Sequence, residues 1–150
     1  MDAVTYPDPN VIDFISSNMI ALRVPTDNKR LAIKFNITWT PTLVIFDSRG
    51  REHRRTVGFL PPEELIPSLL LGIAQSHFEL ERFAESLKYL DHLLMDYPDS
   101  KVAPEAIYLK GACSYKDTHN PGLLKEAYKE LSAVFPQSEW TQRAMPYGLL

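Results

Sequence analysis

The dipeptide Thr40-Pro41, followed at once by the apolar run Leu43-Val44-Ile45-Phe46, constrains this chain more than any other feature. Proline has no amide hydrogen to give to a ladder, so it stands at the mouth of a strand rather than inside one, and it pushes the residue before it into an extended conformation. Asn36-Ile37-Thr38-Trp39 is a polar, turn-compatible approach, and the unbroken apolar run predicts a fully buried strand. The amide and carbonyl of Thr40 are then left unpaired at a sheet rim, where a second extended chain can add.

The flanking residues supply further elements. Pro7-Asp8-Pro9-Asn10 reads as a turn and cap for a short helix with Val11, Ile12, Phe14 and Ile15 on one face, ended by Ser16-Ser17-Asn18. Met19 to Val24 has the β-branched and apolar content of a buried strand, and Pro25-Thr26-Asp27-Asn28 stops it and caps a helix with Leu31, Ala32 and Phe35 inward. Beyond the proline corner, Asp47-Ser48-Arg49-Gly50 has turn chemistry, and Arg51 to Val57 returns as a polar outer strand. Gly58 and a helix begun by Pro61-Pro62-Glu63-Glu64 follow, with prolines and acids suited to a first turn.

Taken in order, Ala32-x-x-Phe35-x-Ile37-x-x-Thr40-Pro41-Thr42, the apolar strand, the Asp47–Gly50 turn, the second strand, Gly58 and the helix resemble the C-terminal half of the thioredoxin fold. Thr5-Tyr6-x-Asp8-Pro9-x-Val11-x-x-Phe14-Ile15, Met19 to Val24 and Gly58-Phe59-Leu60-Pro61-Pro62 resemble the branch of that family in which a C-x-x-C pair lies just upstream. The resemblance implies an α/β thioredoxin-like unit over residues 1–66 that lacks its first strand and its redox turn. It implies that the Thr40–Pro41 bond is cis and that Trp39, Thr40 and Pro41 meet substrate or peptide backbone. Trp39 as core or lid over the corner is the alternative. The missing strand is central in the family, between 19–24 and 42–47. Those neighbours therefore either pair directly or take in another strand, from a second copy or from an N-terminal segment of a longer protein. A chain that starts late in its gene is the first expectation, and a redox-dead natural version the second.

At about Pro67 the strand signals give way to helical periodicity with an internal repeat. Leu90, Leu93, Leu94 and Tyr97-Pro98-Asp99-Ser100 recur as Tyr128, Leu131, Ser132 and Phe135-Pro136-Gln137-Ser138. Leu71, Ala74 and Phe78 recur as Tyr108, Gly111 and Tyr115, one residue closer, the difference falling in the loop-like Asp117–Gly122. Helical hairpins of this period, with small residues at the close contact and a proline after the second helix, resemble tetratricopeptide repeats. The resemblance implies an all-α pair of helical hairpins over 67–150, with Trp140, Met145 and Tyr147 in a capping helix. The helix from Glu63 onward is expected to close the first part and open the second. Binding of a protein or peptide partner on the concave face is implied for Tyr108, Lys110 and Tyr115, with Gln75 and Cys113 to Lys116 nearby. Inter-repeat packing is the competing role for Tyr108 and Tyr115.

Several chemistries are excluded. Cys113 is the one cysteine, so this chain closes no disulfide and runs no dithiol cycle by itself. His53, His77, His92 and His119 have no ligand spacing, so no metal is expected, and the glycines form no phosphate-cradling loop, so no cofactor is expected. At a net charge of −3 the chain has no nucleic-acid footprint, and Arg49, Arg51, Arg54 and Arg55 are broken up by Glu52. No basic-apolar leader opens the sequence, no apolar run approaches the roughly 20 residues of a membrane span, and a reducing cytoplasm is the default. The expected function is a non-catalytic interaction module for protein or peptide partners, with a homodimer favoured by the uncovered strand edge. The alternative is the C-terminal portion of a thiol-disulfide oxidoreductase, serving redox homeostasis, whose C-x-x-C lies upstream of Met1.

Overall fold

The structure is a computed structural model that describes every residue from Met1 to Leu150. The chain divides into two compact units, Met1–Ile66 and Pro67–Leu150.

In the first unit the helix starts follow from local chemistry. The Asp8 carboxylate accepts from the amides of Asn10 and Val11 at 2.9 and 3.2 Å and opens α1 (Pro9–Asn18). Of the expected four-residue apolar face Val11 is buried, Phe14 and Ile15 are half-buried, and Ile12 is about half exposed and stands outside it. Asn28 accepts from the Leu31 amide and opens α2 (Lys29–Lys34). Strands β1 (Thr42–Phe46) and β2 (Glu52–Val57) pair antiparallel as a two-stranded sheet, with Thr42 opposite Val57 and a bulge between Ile45 and Phe46. Asp47 folds the connecting turn by accepting from the amides of Arg49 and Arg51, each at 2.9 Å, and Gly50 takes the positive φ of 80° that the turn requires.

Two expectations fail here for one reason. Met19 to Val24 is not a strand: residues 20–24 make no backbone hydrogen bond, and Ile20 and Leu22 are 99% and 84% exposed. Leu43 to Ile45 are half-buried rather than buried, and Phe46 is exposed. Strand propensity describes a residue's fit to a sheet that must already be there. The sheet stops at β1, so the 19–24 run has no ladder to join and β1 is covered on one edge alone.

The second unit is helical. Helix α3 (Pro62–Glu79) spans the division in sequence, and α4 (Phe83–Asp96), α5 (Ala103–Thr118), α6 (Gly122–Val134) and α7 (Glu139–Ala144) follow, with a closing 3-10 turn at Met145–Leu149. The internal repeat reaches down to backbone angles. Tyr97 ends α4 at φ −134°, ψ 52°, and Phe135 ends α6 at φ −128°, ψ 55°, their amides bonding Leu93 O and Leu131 O at 2.8 Å. Glu81 (φ 59°) and His119 (φ 58°) turn the two hairpins in the left-handed region. Leu71, Ala74, Leu90, Leu93, Cys113 and Leu131 are fully buried. Ser86 Oγ donates to Ala74 O at 2.8 Å and ties α4 to α3.

The cap also departs from expectation. Trp140 lies on α7, whereas Met145 and Tyr147 fall in the 3-10 turn and Met145 is 60% exposed, so two short elements stand where one helix is expected. Pro146 has no amide for the carbonyl of Gln142, so α7 cannot continue through it.

Left-handed backbone costs a residue with a Cβ about 1–2 kcal/mol, which glycine avoids at the expense of extra freedom in the unfolded chain. His119→Gly is therefore expected to raise the melting temperature by about 4 °C, read by thermal unfolding. A fall would show that the Tyr115–His119 ring contact, 6.4 Å between centroids, outweighs the backbone relief.

Candidate functional site

The rim ahead of β1 is built from three sides. Asn36 ends α2 at φ 51°, a conformation asparagine tolerates, and lets the Ile37 amide bond back to Ala32 O at 2.8 Å. Arg55 on β2 donates to Phe35 O at 2.9 Å while paired with Glu52 at 2.7 Å, so it clamps the end of α2 to the sheet. The rings of Phe35 and Phe46 meet at 5.3 Å beneath it. Fully buried Thr5 donates its hydroxyl to Leu60 O at 2.7 Å and holds the segment after Gly58.

This frame presents Trp39, Thr40 and Pro41. The Trp39 side chain is 68% exposed, so it is neither core nor lid. Its carbonyl is taken by Thr42 Oγ1 at 2.6 Å, and Pro41 O accepts from Gly58 N at 2.8 Å. The amide and carbonyl of Thr40 bond nothing in the protein. The Thr40–Pro41 peptide is cis. Since Pro41 and Gly58 form a hydrogen-bonded pair, alternation makes Leu43/Thr56 and Ile45/Arg54 bonded pairs as well. The polar groups of Thr42 and Val44 therefore turn toward the open side of β1. Thr40, Thr42 and Val44 make one line of available backbone.

The family comparison matches this part of the chain. Residues 2–71 match the family model of a thioredoxin-like domain. No curated protein and no solved structure matches the chain. The thioredoxin-like segment thus takes in the proline corner, the hairpin and the start of α3, and it contains no cysteine.

Its charges serve its own architecture. The backbone amide of Arg51, then His53 and the amide of Arg49, hold the Asp47 carboxyl below its ordinary range, with His53 Nε2 at 3.2 Å. The Arg55 guanidinium does the same for Glu52. No group of three or more His, Cys, Asp or Glu side chains is placed to hold a metal ion. No helix is long and apolar enough to cross a membrane.

In the second unit Tyr108, Lys110 and Tyr115 have separate neighbours. Tyr108 tilts against Trp140 at 5.2 Å and shares a 2.9 Å hydrogen bond with the Tyr147 hydroxyl, which burial pushes up to about 12. Lys110 pairs with Asp91 at 2.7 Å, and Tyr115 lies beside His119. Cys113 is buried with its Sγ 3.4 Å from Phe83 O, and burial pushes its thiol up, away from the reactive thiolate. His77, stacked on Tyr89 at 5.5 Å, is pulled down by burial.

Sequence reading missed the outward line of Thr42 and Val44. Register sets that line, and the parity follows only once the Gly58–Pro41 bond is known.

Proposed function

We propose that the chain is a non-catalytic protein-interaction module whose thioredoxin-like unit receives an extended peptide at Trp39, Thr40 and Pro41. The carrying observation is an exposed tryptophan next to a strand mouth whose Thr40 backbone is unpaired. An extended chain laid there gains main-chain hydrogen bonds, as in strand addition generally, and Trp39 supplies a large anchor of low conformational cost. The second unit, read as two tetratricopeptide-like repeats, offers a further partner surface. Lys110 and Tyr115 are its candidates, whereas Tyr108 is engaged with Trp140 and Tyr147.

The Thr40–Pro41 corner also supports a second reading, in which this is the substrate-binding part of a thiol-disulfide oxidoreductase and the C-x-x-C pair comes from another segment. Insulin reduction above a dithiothreitol blank by a longer chain that carries a C-x-x-C pair ahead of this segment, lost on Pro41→Ala, would favour it. The first reading is tested by screening the intact chain against an array of extended peptides and repeating the best binder with Trp39→Ala. Loss of a buried aromatic anchor costs about 2 kcal/mol or more, so affinity should fall roughly 30-fold. Unchanged affinity would overturn the assignment of the rim.

A further inference from the structure

His77 ties together two parts of the first hairpin of the second unit. Its carbonyl accepts the Arg82 amide at 2.8 Å and the Phe78 carbonyl accepts the Glu81 amide at 3.0 Å, the paired bonds of a Schellman turn around Glu81 at φ 59°. Its ring lies nearly flat against Tyr89 of α4, 5.5 Å between centroids and 12° between planes. One residue thus closes the turn and braces the facing helix.

The ring is placed to be neutral. Nδ1 is buried and has no hydrogen-bond partner. A neutral imidazole can leave that nitrogen as a bare acceptor, whereas an imidazolium must put a charged N–H there with nothing to receive it. The groups around the ring divide. Arg82, at the start of α4, opposes a positive ring, while Glu85, the Tyr89 face and the C-terminal end of α3 favour one. Glu79, two residues along α3, lies off the His77 face. Burial is the largest influence and holds the imidazole below its ordinary range.

The repeat does not ask for this pair. With Phe78 aligned to Tyr115 and Leu90 to Tyr128, the second hairpin has Ser114 and Ala127 at the steps of His77 and Tyr89. Its turn and helix pairing are built without an ionisable ring at that step.

We infer that the α3–α4 hairpin is an acid-sensitive joint, in which protonation of His77 loosens both the stack on Tyr89 and the turn that His77 closes. The unfolded chain takes up this proton near the ordinary value of about 6.5 and the folded chain only at lower pH. The hairpin therefore has its full stability above about pH 6.5 and loses part of it as the pH falls below that. Asp91 of α4 pairs with Lys110 of α5 at 2.7 Å, so the loosening reaches the helix that bears Lys110 and Tyr115. The inference concerns the second unit and holds whether or not a peptide binds at Trp39.

The test compares the intact chain with His77→Phe by thermal unfolding at about pH 7.5 and about pH 5, either side of the ordinary imidazole value. Phenylalanine keeps a flat ring against Tyr89 and takes no proton. His53 and His92, which face Asp47 and Asp96 at 3.2 and 3.0 Å, and His119 are present in both chains, so their titration cancels. The wild-type melting temperature should fall by roughly 4 °C more than that of the variant. Protection of the Arg82 amide from hydrogen exchange, corrected for the intrinsic rate, should drop in acid in the wild type alone. An equal fall in the two chains, a larger one in the variant, or unchanged Arg82 protection in the wild type would overturn the proposal. Where the variant folds poorly, NMR titration of the wild type decides: the His77 ring is expected to titrate below about 6.5, and titration at or above that value would overturn the proposal.

Discussion

Leu131→Ala is expected to cost about 3–5 kcal/mol and to lower the melting temperature by roughly 12 °C or more, followed by helical circular dichroism of the intact chain. Leu131 is fully buried on α6 and packs with Ile107, Ala127 and Ala144, inside a shell of Tyr108, Tyr128, Phe135, Trp140 and Tyr147. Truncation removes its transfer free energy and leaves a cavity, and the cavity part depends on how far the surroundings can close. Here they are held. The Leu131 carbonyl accepts from the Phe135 amide at 2.8 Å and lies 3.3 Å from Thr141 Oγ1, which also donates to Phe135 O at 2.6 Å. Inward movement of α6 would break this link to α7, so the upper part of the range applies. Leu149→Ala, at a side chain 90% exposed, is the control and should stay within about 0.5 kcal/mol. A loss below about 1 kcal/mol at Leu131 would mean that the cluster collapses freely.

The equivalence of Leu93 and Leu131, and of Tyr97 and Phe135, was legible in the sequence because a helical repeat is written in residues that carry out the same local task. Each leucine is the last buried rung of its helix, and each aromatic is followed by a proline that ends it. The Asp8 and Asn28 caps were legible on similar grounds, since a cap acts over two or three residues. So was the Thr40-Pro41 corner, where proline acts on its immediate neighbours.

What could not be read depended on distant partners. Met19 to Val24 has strand composition, yet no property of those residues reports whether a ladder exists for them to join. The left-handed turns at Glu81 and His119 carry neither glycine nor asparagine, so the hairpin sets them from outside. Arg55 looked like part of a solvated basic run, and its role as a clamp appears only when β2 brings it against Phe35 O. Tyr108 carried two readings, a concave-face contact and inter-repeat packing, because nothing near it in the sequence says that Trp140 and Tyr147, far along the chain, lie against it.

Gly111→Val is expected to cost about 3 kcal/mol or more, a large share of a domain's typical stability of about 5–15 kcal/mol, and to lower the melting temperature by roughly 12 °C or more. A Cβ added at Gly111 would lie 2.5 Å from Ala127 Cβ and 3.5 Å from Leu123 O. The nearer atom is fixed to the α6 backbone, so no rotamer change relieves the clash and α5 must move away from α6. Helix propensity pulls the other way, since alanine in place of an exposed helical glycine gains about 1 kcal/mol. The sign of Gly111→Ala therefore reads the contact directly: a stabilised variant would show that the two helices separate at no cost. We expect it to be destabilised, and Ala127→Gly in the same chain to restore part of the loss. Both substitutions act on one contact, so the cycle should show a coupling of about 1 kcal/mol or more. The small residue at this step of the repeat is thus a packing requirement, matched in the first hairpin by Ala74, whose carbonyl accepts from Ser86 Oγ on the helix beside it.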